Sequence, residues 1–286
     1  MLVGLMVIVI NVEIFQGVAG AAASATADPV AVARAAGDTD PHLPLTAQTL
    51  QREAEKFAAA TRFMEQLRKA WAAQPSTTQS PVIITPNSTL PGGGGSGPTS
   101  ASLIANQQAQ QTTYWCGPAA VSEALGQLGY SLSQASAASQ LRTTTDGTAW
   151  SGVYVSTSPS TGYPVADVMN NRTSSSFYVP IAVSYTASSS DKSNYQPRLV
   201  TDVLGGWPLL GDAYEVPGGL LLVGHPSNKT IFHWFDIRGY ANSGADTMYE
   251  DSVAGSTISW AANVPAYSTL ASDTIVSILG GRGYMW

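Results

Sequence analysis

Between Gln74 and Thr99 the chain carries Pro75, Pro81, Pro86, Pro91 and Pro98, with Gly92-Gly93-Gly94-Gly95-Ser96-Gly97 between the last two. Proline fixes φ and removes a donor, and glycine loses the most backbone freedom on ordering, so this composition builds no core of its own. The stretch reads as a linker over 74–99 and places the folded domain at 100–286. That domain holds six of the seven Trp, which gives it the aromatic content a core needs.

Upstream of the linker, Leu2 to Ile10 is apolar but too short to span a bilayer. Gly17 to Ala27 is rich in small residues and ends in Ala25-Thr26-Ala27. Residues 1–27 therefore read as a signal peptide, which predicts a secreted or extracellular protein with no stable membrane contact once the segment is removed. Over 28–73 the expectation is a flexible lead-in followed by an amphipathic helix. Leu50, Ala54, Phe57, Thr61, Met64, Leu67 and Trp71 recur at helical spacing, with Thr46 or Thr49 as N-cap. That helix is either an accessory element docked on the domain or a pro-segment covering the active site.

Net charge is −6, and charged residues make up 11% of the chain. No basic surface is left to neutralise a phosphate backbone, so a nucleic-acid partner is not expected. Nothing resembles a Gly-rich phosphate loop. Besides His233 there are His42, in the lead-in, and His225, in the turn Gly224-His225-Pro226. With no His pair at helical spacing and no cysteine cluster, neither a metal site nor a cofactor is predicted.

Cys116 is the only cysteine, so no intrachain disulfide can form. It stands in Thr113-Tyr114-Trp115-Cys116-Gly117-Pro118-Ala119-Ala120, just before an apolar run through Val121, Ala124, Leu125 and Leu128. A thiol at a helix N-terminus meets unpaired N–H groups and the positive dipole end, which favour the charged, nucleophilic sulfur. Further helices are expected from Ser131 or Ser133 to Leu141, over Pro164 to Asn171 and over Pro197 to Leu204. Strands are expected over Trp207 to Leu210, Gly219 to Val223, Thr230 to Tyr240 and Thr247 to Val253. Helices first and an antiparallel sheet after make an α+β arrangement.

His233 shares a strand face with Ile231, Phe235 and Ile237. A hairpin about Asn242-Ser243-Gly244 brings Tyr249-Glu250-Asp251 back beside Phe232-His233-Trp234, so Asp251 can reach the imidazole while the other ring nitrogen faces the thiol. Asp236 and Glu250 project from the opposite face. A thiol, an imidazole and an orienting carboxylate are the parts of a nucleophilic hydrolase.

Gln110, Cys116-Gly117-Pro118-Ala119-Ala120, His233-Trp234 ahead of Gly239-Tyr240, and Asp251 together resemble the papain-like cysteine peptidases. The nearest branch is the stand-alone relatives of the bacteriocin-processing, double-glycine leader peptidases. The resemblance covers roughly residues 103 to 260 and departs from the family at Ser252, where a proline is usual. It implies a papain-like α+β fold with Cys116 as nucleophile, His233 as general base and acid, Asp251 as orienting residue and Gln110 as oxyanion-hole donor. It also implies a peptide or protein substrate whose amide bond is cut through an acyl-thioenzyme. The same three groups would serve a cell-wall amidohydrolase or acyltransferase, and the fold alone would serve a non-catalytic binding module.

Overall fold

The computed structural model describes residues 40, 42–73, 82–85, 97–157 and 160–286. The expected signal peptide lies outside them. The helices are α1 (Ala47–Ala72), α2 (Cys116–Gln127), α3 (Gln134–Leu141), α4 (Pro164–Arg172), α5 (Ser189–Leu204) and α6 (Ser272–Ile278). The strands are β1 (Val82–Ile84), β2 (Ala101–Leu103), β3 (Pro180–Ala182), β4 (Leu209–Glu215), β5 (Ile231–Ala241), β6 (Asp246–Glu250), β7 (Tyr267–Ala271) and β8 (Gly283–Met285).

The aromatic and β-branched run from Ile231 forms the central strand, β5, as its composition dictates. It pairs with β4, β2 and β6 in a sheet ordered β1-β2-β5-β4-β8-β3, with β6 and β7 carried on the other edge of β5. Because side chains alternate along a strand, the sheet feeds two cores. Phe235 and Ile237 pack with Leu199 and Val203 of α5 and with Ile275 and Val276 of α6. Leu210 and Trp234 pack instead with Val121, Ala124 and Leu125 of α2 and with residues of α3 and α4. The α+β class is as the sequence implies, but the sheet is mixed, since β1 and β2 run parallel.

Several expectations about elements are corrected. The supposed linker contributes β1, where Val82-Ile83-Ile84 pairs with Ala101–Leu103 and buries Ile84 in the core. Three consecutive β-branched residues between prolines outweigh the surrounding composition. The end of the lead-in is held too, for Leu43 N donates to Ser151 Oγ at 3.1 Å and Tyr163 OH donates to Leu43 O at 2.9 Å. Helix α5 starts eight residues before Pro197, because Ser188 and Asp191 form a reciprocal capping box that fixes the N-terminus. Gly219 to Val223 is no strand. It folds as a turn whose Leu222 N–H donates to Glu215 Oε1 at 2.5 Å.

Helix α1 is capped by Thr46, which accepts from Thr49 N. Its second half buries the expected stripe at Leu67 and Trp71, with Met64 packed on the core, but over the first half the face is rotated: Leu50 and Phe57 are exposed while Thr49 is buried. The reason is polar docking over its first half, where Lys56 Nζ meets Asp202 Oδ2 at 2.9 Å and Arg198 pairs with Glu53. Among the described residues, no helix is long and apolar enough to cross a membrane.

Candidate active site

Cys116 is the first residue of α2 and 8% exposed. Its position at the helix start follows from the local sequence. Gly117 comes next, and a Cβ there would sit 2.4 Å from Thr148 Oγ1, so only glycine lets the helix end approach the Thr148 loop this closely. The same loop is held by Trp234, the neighbour of His233, whose indole donates to Thr148 O at 2.9 Å.

His233 lies on β5 opposite Ala213 of β4. Strand β6 ends with Glu250 opposite Asp236, so the β5 edge before that point is not covered by β6, and Asp251 emerges into the gap. Its Oδ1 lies 3.0 Å from His233 Nε2. That leaves the other ring nitrogen for Cys116, whose sulfur stands close enough to the imidazole to favour its charged form. Three of the four residues singled out in the sequence are thus brought together. The hairpin register is not the expected one, because Ala241 opposite Asp246 closes the hairpin and sets Glu250 against Asp236 and not against His233. Asp251 reaches His233 because the chain turns after β6, with Asp251 N donating to Ala266 O at 3.1 Å.

Burial opposes the charged form of His233, but the Asp251 carboxylate and the Cys116 sulfur outweigh it and raise its pKa well above the usual value. Burial likewise opposes ionisation of Asp251, and the two imidazoles bonded to it hold its carboxyl well below the usual carboxylate range. The second imidazole is His225. Its Nε2 lies 3.0 Å from Asp251 Oδ2 and its Nδ1 lies 2.6 Å from Glu215 Oε2. Sequence reasoning set His225 aside as a turn residue. Its polar partners lie 10 and 26 residues away in sequence, so no local pattern could reveal them.

Gln110 is buried, and its Nε2 donates to Thr112 O at 2.7 Å. It is tied to the segment after β6 from two sides. Gln110 N donates to Ser252 O at 2.8 Å, and Ser252 Oγ donates to Gln110 Oε1 at 3.3 Å. The serine that replaces the family's usual proline therefore links Gln110 to the neighbour of Asp251. Beneath this loop, Glu250 accepts from Asn106 N at 2.9 Å and Glu123 accepts from Gln108 N at 2.8 Å. Asp236 accepts from Gln127 Nε2 at 2.5 Å. These contacts keep Asp236 and Glu250 away from His233, as the alternation of faces predicts.

The donor atoms of His225, His233 and Asp251 lie within 4.8 Å of one another, a grouping that could be read as a cation site. Each imidazole nitrogen that faces the carboxylate is already engaged by one of its two oxygens, so a cation would have to displace both hydrogen bonds. A hydrogen-bonded row accounts for every atom present.

Residues 103–271 match the Peptidase_C39 like family. No curated protein matches the chain. Among solved structures, it is similar to a Bacillus anthracis protein described as a C39-like peptidase, at 12% identity and a TM-score of 0.37, covering 64% of this chain and 96% of that one.

Proposed function

The chain belongs to the Peptidase_C39 like family, and on that premise we propose that it is a secreted cysteine peptidase that hydrolyses peptide or protein amide bonds through an acyl-thioenzyme. The observation that carries this reading is the buried imidazole of His233, bonded to Asp251 and charge-coupled to the Cys116 sulfur at the start of α2.

In the proposed mechanism His233 takes the thiol proton, and the sulfur attacks the scissile carbonyl carbon. The oxyanion that forms is met by the Cys116 N–H, which as the first helical residue has no acceptor within α2, and by the Gln110 side-chain amide. For this the amide would use the N–H not committed to Thr112. The imidazolium then gives its proton to the leaving amine, the C–N bond breaks and a thioester remains. Water, deprotonated by the same imidazole, attacks the thioester, and the sulfur leaves as the acid product forms. Asp251 fixes the tautomer and stabilises the imidazolium through both proton transfers.

The test is treatment of the protein with a thiol-reactive peptide electrophile at neutral pH, followed by mass spectrometry. One adduct on Cys116, lost in His233→Ala, is the expected result. A folded protein that forms none is a binding module. Release of product only when an amine acceptor is supplied would make it an acyltransferase. Secretion is proposed on residues 1–27 alone, and a mature chain recovered from culture medium should begin near Asp28. A recovered chain that retains Leu2 to Ile10 would replace export with anchoring.

A further inference from the structure

His225 bonds the orienting carboxylate Asp251 but has no part in the chemistry proposed above. His225 side-chain atoms are fully buried, as are those of Glu215. Both ring nitrogens of His225 face carboxylate oxygens, Glu215 Oε2 at 2.6 Å and Asp251 Oδ2 at 3.0 Å. A neutral imidazole has one N–H and one lone pair, so it could satisfy only one of these contacts and would aim its lone pair at the other anion. A doubly protonated ring donates to both carboxylates, and although burial opposes the charge, both push the His225 pKa above its ordinary value. Its backbone is placed by an equally specific contact: Gly224 has φ +85°, and a Cβ there would sit 2.1 Å from Asn263 O. The Trp260 ring closes over the imidazole at a centroid distance of 4.7 Å.

We propose that His225, held by Glu215, is a positioning residue of the active site that clamps Asp251 Oδ2 so that Oδ1 stays aimed at His233. Glu215, His225, Asp251, His233 and Cys116 then form one buried row in which anionic and cationic groups alternate. A carboxylate bonded through one oxygen can swing about its terminal torsion. Bonded to His225 through one oxygen, and to His233 and Val253 N through the other, it has one orientation. The clamp also acts through charge. The His225 and His233 rings lie 5.2 Å apart, and two imidazoliums at that distance disfavour each other. His225 therefore limits how strongly Asp251 holds a proton on His233, and keeps that proton available to a leaving amine.

The proposal rests on the thiol-hydrolase reading, and its test reads both separately. The full-length protein and its His225→Gln, His225→Phe and Glu215→Gln variants, each checked for folding by circular dichroism and melting, are compared in two assays. One is peptide turnover, and the other is the pH profile of Cys116 alkylation by iodoacetamide, whose upper limb reports loss of the His233 proton. The groups facing His225 are Glu215, Asp251 and His233, with the Trp260 ring, and those acting on His233 are Asp251, His225, Cys116 and the buried Glu123 of α2; the variants change only His225 and Glu215, so a moved limb reads this row. His225→Phe, which leaves Oδ2 without its donor, should lower kcat roughly tenfold or more with KM little changed. His225→Gln keeps a donor but not the charge. It should recover much of kcat and move the upper limb upward by roughly 0.5–1 pH unit, and Glu215→Gln should move it in the same direction.

A folded His225→Phe protein with unchanged turnover and an unchanged limb overturns the proposal. Equal loss in the Phe and Gln variants with an unmoved limb also overturns it, since that is the behaviour of a residue that only supports the fold. If Cys116→Ala keeps full turnover, the thiol-hydrolase reading falls instead, while the alkylation limb still decides whether His225 is coupled to His233.

Discussion

Asp251 accepts from His233, His225 and Val253 N, so its removal has two consequences that must be kept apart. Asp251→Ala would leave two buried imidazoles without their shared anion, and uncompensated buried charge is costly. It should therefore unfold more easily as well as turn over more slowly. Asp251→Asn keeps the volume and one acceptor oxygen, and so isolates the electrostatic part. Its turnover is expected to fall roughly 10²- to 10⁴-fold, less than for Cys116→Ala, because an orienting group is less essential than the nucleophile. Asp236→Asn and Glu250→Gln should stay within several-fold of the native rate, since those carboxylates bond Gln127 and Asn106 and not His233. Rates that fall in either neighbour while Asp251→Asn stays fully active would reassign the third group.

At the scale of elements, the two readings of the segment before the domain turn on what α1 touches. Its contacts run to Asp202 and Arg198 of α5, and to Trp286 through the Phe57 ring, none of which belongs to the site. Trp71 sits in the core and packs against Gly97, where a Cβ would lie 2.3 Å from the indole. A docked helix predicts that Trp71→Ala costs about 3–5 kcal/mol of stability and leaves Cys116 alkylation unchanged below the melting temperature. Alkylation that accelerates in that variant would mean that α1 shields the thiol. The helix itself is legible from its period, and so are α2 and β5, because local spacing encodes them. The face its first half buries is not, because Lys56 and Glu53 gain their value only from Asp202 and Arg198, roughly 145 residues on. The same limit separates Cys116, His233 and Asp251, visible through a motif and a hairpin, from the pair His225 and Glu215, since the turn Gly224-His225-Pro226 is legible but the carboxylates its imidazole meets lie 10 and 26 residues away. The hairpin register was out of reach for a related reason, as the turn residues Asn242-Ser243-Gly244 do not say which flanking pair closes the hairpin, and Ala241 opposite Asp246 sets Glu250 against Asp236.

The whole molecule carries an unusual set of buried acids between its sheet and α2, and these make its stability a function of pH with a definite sign. Burial raises Glu123 and Asp236 well above the ordinary range, and the neighbouring Glu250 and Glu123 charges push Asp236 further. Burial pushes Glu250 from 4.5 up to about 7, against the pull of Asn106 N and Arg238. Glu123 Oε2 and Asp236 Oδ1 have no hydrogen-bond partner among the described residues, the arrangement of carboxyls that keep their protons. A carboxyl whose folded value lies above its unfolded one binds more protons in the native state, so stability falls as pH rises between the two values. For Glu250 that window runs from 4.5 to about 7, with a slope of at most about 1.4 kcal/mol per pH unit. His225 and His233 act in the same direction. Their folded values are raised above 6.5, so their contribution is complete below that pH and is lost as pH climbs through the folded values. Asp251 opposes them only in acid, because its contribution is lost as pH falls below 3.8. The melting temperature should therefore be higher at pH 5.5 than at pH 8. In Glu250→Gln the decline between pH 5 and 7 should become shallower, keeping the share of Glu123 and Asp236, while the part above pH 7, which belongs to the histidines and those two acids, remains. A melting temperature that rises from pH 5.5 to pH 8 would mean that these carboxyls are ionised in the native state, and Arg238, 3.5 Å from Glu250 Oε1, would then be the residue that compensates them.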